Sequence, residues 1–66
     1  MEEQSQQLPI LFTTSTLAKY LGIAKATLKQ YRLDGGGPEY LKIGHLIRYR
    51  LSDIEKWFDT LVSQKN

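Results

Sequence analysis

Lys25, Lys29 and Arg32 recur at i, i+4 and i+7, which lines three cations along one flank of any helix that contains them. On the same segment Ala26 and Gln30 stand four residues apart, so a small apolar side chain and a carboxamide share a neighbouring flank, turned away from the core. These residue types suit a polyanion with readable edges. Cationic groups neutralise phosphates, glutamine can bond an adenine edge bidentately, and alanine can touch a thymine methyl. An ordinary solvated face also carries Lys and Arg, so this segment alone leaves both readings open. Lys42, Arg48 and Arg50 add cations on a second segment, where charge on an exposed strand also serves to protect a sheet edge. Two basic elements together favour double-stranded DNA as the partner, because attachment to a duplex depends on how many phosphates are neutralised at once.

Other chemistries fit less well. The stretch Asp34-Gly35-Gly36-Gly37-Pro38-Glu39-Tyr40 invites a phosphate-cradle reading, but such a loop needs glycines between a strand and a helix, followed by Lys-Ser or Lys-Thr. Here the glycines follow a helical pattern and precede a strand-like one. The single His45 has no Cys or His partner at metal-ligand spacing, and no pairing of nucleophile and base is suggested. The sequence therefore points to no catalytic residue, no metal, no cofactor and no small-molecule ligand, and to a protein that is not an enzyme.

The totals bound the fold. With 66 residues there is room for one small domain, and with no cysteine there is no disulfide to staple it. No apolar run approaches the roughly 20 residues of a membrane span, and the opening "MEEQSQQ" is acidic and polar, unlike a signal peptide. A cytoplasmic protein is the expectation. The formal net charge of +2 conceals an uneven distribution. Residues 13–51 hold seven cations against Asp34 and Glu39, a net of +5, while both ends are acidic. A basic centre between acidic ends implies one surface turned to a polyanion.

The elements that must position these groups can be read in order. Residues 1–9 lack periodicity and end at Pro9, and are expected to form a disordered tail; the domain should span 10–62, with a short tail over 63–66. Thr13 caps a first helix over 14–21 with Leu17, Ala18 and Leu21 on its apolar face, and Gly22 stops it. A second helix over 24–33 carries Ala24, Leu28 and Tyr31 inward. Two short helices across a tight glycine turn make a helix-turn-helix. In "YLKIGHLIRYR", a three-residue turn Gly44-His45-Leu46 would pair Ile43 with Ile47 and Leu41 with Tyr49 on an apolar face, and Lys42 with Arg48 on a cationic one. A last helix follows, with a Ser52–Glu55 capping box and an inward stripe of Ile54, Trp57, Phe58, Leu61 and Val62. The fold class is mainly α with a small β-hairpin, in the order α-α-β-β-α. Gly35 is expected to end the second helix in a left-handed conformation, Gly36 and Gly37 to allow a sharp exit, and Pro38 to fix the entry to the hairpin.

In this order, "LFTTSTLAKYLGIAKATLKQYR", "GGGPEYLKIG" and "IRYRLSDIEKW" resemble the excisionase-like, MerR-type winged helix-turn-helix domains of small phage and mobile-element regulators. The resemblance covers about residues 11–58. It implies that the second helix enters the major groove with Lys25, Ala26, Lys29 and Gln30 toward the bases and backbone, and that Arg48 and the turn around His45 form the wing contact. It also implies an excision factor or a transcription regulator acting by occupancy, with an integrase as partner of the former and cooperative self-association on DNA. A protein-interaction module using Trp57, Phe58, Leu61 and Leu46 is the rival from another class. Three positions depart from the family's habit. Ala24 stands where Ser is common, and Thr16 where Glu is common, so the first helix should lack a full capping box. His45-Leu46 stands where the wing tip often has Arg-Arg, leaving a neutral imidazole donor in place of two cations.

Overall fold

The structure, a computed structural model, describes residues 8–63. Apart from Leu8, Pro9 and Ser63, the two expected tails lie outside the described residues. The element order is β1 (Leu11–Phe12), α1 (Thr14–Leu21), α2 (Lys25–Asp34), β2 (Leu41–Ile43), β3 (Leu46–Arg50) and α3 (Leu51–Ser63). Three helices and a small antiparallel sheet make a mainly helical, winged helix-turn-helix arrangement. The sheet has one more strand than the hairpin alone. Leu11 pairs with Arg50 and Phe12 with Tyr49, which places β3 in the middle of the order β1-β3-β2. A two-residue strand has no hydrophobic period of its own, so it exists only because β3 offers it an edge.

The helix ends follow from local chemistry. Thr13 accepts from the Thr16 amide at 3.0 Å, and the Thr16 hydroxyl accepts from the Thr13 amide at 2.8 Å. The capping box expected to be incomplete is therefore complete. A threonine hydroxyl at the third helical position reaches back as a glutamate carboxylate would. At the other end Gly22 (φ 72°) is left-handed, and the amides of Gly22 and Ile23 donate to the carbonyls of Lys19 and Ala18. This is a Schellman closure, with Ile23 packed against the core beside it. For α2 the N-cap is Ala24, which makes no side-chain cap and is exposed.

The hairpin register differs from the expectation. The turn has two residues, Gly44-His45, and the pairs are Leu41 with Arg48, Lys42 with Ile47, and Ile43 with Leu46. Gly44 has φ 64°, and among the described residues no non-glycine residue has a positive φ. A positive φ at the first central position alone is what a type II′ turn needs, and its twist suits the flanking strands. The three-residue alternative places its left-handed residue at Leu46, where a side chain is strained. Lys42 and Arg48 consequently do not share a face.

The core is Leu17 and Ala18 from α1, Leu28 from α2, Tyr49 from β3 and Ile54 from α3. Phe12, Leu21, Ile23, Tyr31, Ile47 and Phe58 pack around it. α3 begins at Leu51, directly after the strand, so Ser52 lies inside its first turn and the Ser52–Glu55 box gives way to another tie. Asp53, only 5% exposed, accepts from Arg50 Nε at 2.8 Å. Leu61 and Val62, expected in the stripe, are exposed.

Candidate nucleic-acid interface

The helix α2 is held from beneath by Leu28, which is fully buried, and by Tyr31, whose ring lies 5.8 Å from that of Trp57. With that side turned inward, Lys25, Ala26, Lys29 and Gln30 are all exposed. The four form one continuous outer surface on two turns of helix. Gln30 Nε2 donates to Asp34 Oδ1 at 3.2 Å, an i, i+4 tie that holds the carboxamide along the helix. Leu33 occupies the same surface one turn further on and is 72% exposed. The signal for it in the sequence is its spacing from Ala26 and Gln30, i+7 and i+3, which places all three on a shared face.

Arg32 is placed differently from the two lysines with which it was grouped. Its Nη1 donates to the Tyr49 hydroxyl at 2.6 Å and, more weakly, to Thr14 Oγ1 at 3.3 Å. Its guanidinium carbon lies 5.9 Å from the centre of the Tyr40 ring. Tyr40 in turn lies 6.1 Å from Tyr49, ring to ring. Arg32 therefore joins α2 to the first turn of α1 and to the central strand of the sheet. The signal that could have found this is Tyr49 itself: a tyrosine pointing into a core needs a partner for its hydroxyl.

The segment between α2 and the wing is a fitted corner. Gly35 (φ 81°) is left-handed, and its amide donates to the Tyr31 carbonyl at 2.7 Å, as does that of Gly36 at 3.2 Å. Trp57 Nε1 donates to the Gly36 carbonyl at 3.2 Å, which pins the corner to α3. Gly37 approaches the helix so closely that a Cβ there would lie 2.7 Å from Tyr31 Cβ. Pro38 is buried. The three glycines thus have separate duties: a left-handed cap, a carbonyl held by tryptophan, and a close approach.

On the wing, Ile47 and Tyr49 face the helices, with Lys42 on the same side at the exposed edge strand. Leu41, Ile43, Leu46, Arg48 and Arg50 share the outer face with Leu11. Ile43 and Leu46 are paired beside the turn and are 53% and 47% exposed, so the wing tip is apolar, with His45 exposed at its end. Arg48 is half-buried, and its Nη1 donates to the Ile47 carbonyl at 2.7 Å. The structure thus gathers Lys25, Ala26, Lys29 and Gln30 on one surface, sets Lys42, His45 and Arg48 on different sides of the wing, and turns Arg32 inward. Tyr20 lies 5.4 Å from Phe12, ring to ring, and remains more than half exposed.

Among the described residues no group of three or more His, Asp or Glu side chains is placed to hold a metal ion. No helix among them is long and apolar enough to cross a membrane. The helix-turn-helix domain family, which includes excisionase-like DNA-binding proteins, matches residues 11–61. No curated protein matches the chain.

Proposed function

Since the chain belongs to the helix-turn-helix domain family, whose members bind DNA and are typically not enzymes, we propose that it reads double-stranded DNA through α2 and serves as an excisionase-like factor that binds and bends DNA during excision of a mobile element. The observation that carries the DNA-reading part is the outer surface of α2, where Lys25, Ala26, Lys29 and Gln30 are exposed over a buried Leu28. Lysines on this surface attach to phosphates, and the alanine and carboxamide meet base edges in the major groove. On the wing, Lys42 reaches the adjacent backbone with His45 beside it at the turn, while Arg48, half-buried on the other face, stays with the Ile47 carbonyl. A single copy this small binds weakly and salt-sensitively, so neighbouring copies cooperate on the site, and an integrase is the protein partner that an excision factor would serve.

The test is charge reversal. Lys25→Glu with Lys29→Glu should abolish binding to duplex DNA in fluorescence anisotropy while circular dichroism stays that of the folded protein. Intact binding would remove α2 from the interface, whereas no duplex binding by the wild-type chain would favour the protein-interaction reading. Gel mobility of circularly permuted fragments then separates the two DNA roles: a bend supports the excision factor, and tight binding without a bend supports a transcription regulator.

A further inference from the structure

Leu33 is 72% exposed, more than any other large apolar side chain within a described helix or strand. Nothing in the fold accounts for it. It lies in the last turn of α2, beyond the reach of the core that buries Leu28 on the opposite side. At about 100° per residue, Leu33 falls roughly 20° from Ala26, between Lys29 and Gln30 in angle, so it sits at the centre of the outer surface. From Ala26 to Leu33 the surface runs about 10 Å along the helix axis at 1.5 Å per residue, the length of about three base-pair steps at 3.4 Å each.

Resting on the reading of α2 as the groove helix, we propose that Leu33 is a specificity-determining residue that packs its isobutyl group against the C5-methyl of a thymine at one end of the site. The chemistry is selective because, within the major groove, the thymine methyl is the one apolar group that unmodified base pairs present. Gln30 and Asp34 flank this position and are tied to each other by one carboxamide donor, which leaves the other donor of Gln30 for a base edge beside the apolar contact. The pairing also explains why a leucine is tolerated in a surface that is otherwise cationic and polar: free in water it is an exposed apolar group, and on DNA it is covered.

The experiment uses duplexes selected from a randomised pool by the wild-type chain, with each thymine of the selected site replaced singly by uracil, which removes only the methyl. Wild-type protein should lose about fourfold in affinity at one position, the equivalent of returning one methyl to water. Leu33→Ala should bind thymine and uracil equally at that position, and Leu33→Met should keep the discrimination. Both variants keep the fold, because the side chain is largely exposed and lies outside the core. An undiminished thymine preference in Leu33→Ala, or a selected pool with no preferred thymine, overturns the proposal. Lys29→Ala run alongside separates the two readings. If its salt dependence drops by one contact while Leu33→Ala changes nothing, Leu33 alone is misassigned; if its salt dependence is unchanged, the groove-helix reading has failed and takes Leu33 with it.

Discussion

Removing the hydroxyl of Tyr49 should destabilise the protein and loosen the wing at the same time. The ring is 0% exposed, and its oxygen is the acceptor for Arg32 Nη1 at 2.6 Å. A hydrogen bond to a charged group is worth about 1.5–3 kcal/mol, and Arg32 is half-buried and can recover some water, so Tyr49→Phe should cost about 1.5–2 kcal/mol. Arg32→Met leaves the buried hydroxyl without its partner and removes the contact with Tyr40, for a loss of about 2–3 kcal/mol. These are large fractions of the roughly 3–10 kcal/mol that a chain of this length holds in total. Combining the two leaves neither group stranded, so the double variant should be about 1.5 kcal/mol more stable than the sum of the singles predicts. Urea denaturation of the four proteins gives the coupling directly, and each kcal/mol lost should lower the melting temperature by about 4–8 °C. Additivity within about 0.5 kcal/mol would refute the reasoning, since residues in contact with a shared hydrogen bond must couple.

The glycine corner gives a ranking that a flexible spacer would not. Gly37→Ala should cost about 1–3 kcal/mol because its Cβ would meet Tyr31 at 2.7 Å; Gly35→Ala costs about 1 kcal/mol from its φ of 81°, with more for Gly35→Val, and Gly36→Ala stays within about 0.5 kcal/mol, all by urea melts. Gly44→Ala should cost about 1 kcal/mol through its φ of 64° and raise hydrogen exchange in the β2–β3 ladder. On DNA, three phosphates met by Lys25, Lys29 and Lys42 give a slope of log Kobs on log[salt] of about −2.7 per copy, whereas about −4.5 would mean that Arg32 and Arg48 reach phosphates as well. Gln30→Ala should flatten sequence preference in a competition assay more than it weakens non-specific binding.

The helices were legible because their signals are local. Thr13, Gly22 and Gly35 mark ends that the backbone adopts, and Leu17, Ala18, Leu28 and Ile54 have the spacing of a buried face. The sheet was less legible because its determinants are not. β1 is two residues long and depends on β3 for its existence. In the hairpin the backbone demand of the turn outweighs the purity of the two faces that side-chain alternation favours. In a three-stranded sheet this small, helices cover only part of one face, so Leu41, Ile43 and Leu46 can lie outward without loss of the core. The turn, by contrast, has one residue that accepts a positive φ without strain, and Gly44 decided the pairing.

The basic centre of the sequence turns out to hold two populations of charge. All three arginines bond within the protein: Arg32 to Tyr49 and Thr14, Arg48 to the Ile47 carbonyl, Arg50 to Asp53. Among the described residues the lysines make no hydrogen bond or ion pair with the protein, and Lys19, Lys25, Lys29 and Lys42 are exposed. The division follows from the side chains. A planar guanidinium offers five donors in a fixed fork and stacks on aromatic rings, which suits a joint between α2, α1 and the sheet. An ammonium on a flexible stem is a well-hydrated point charge that can follow a phosphate without a preset geometry. Net charge alone counts both populations alike and so overstates the surface available to DNA. Of the three arginines, Arg32 alone ties α2 to α1 and to the central strand, so among them it bears on the angle between that helix and the wing.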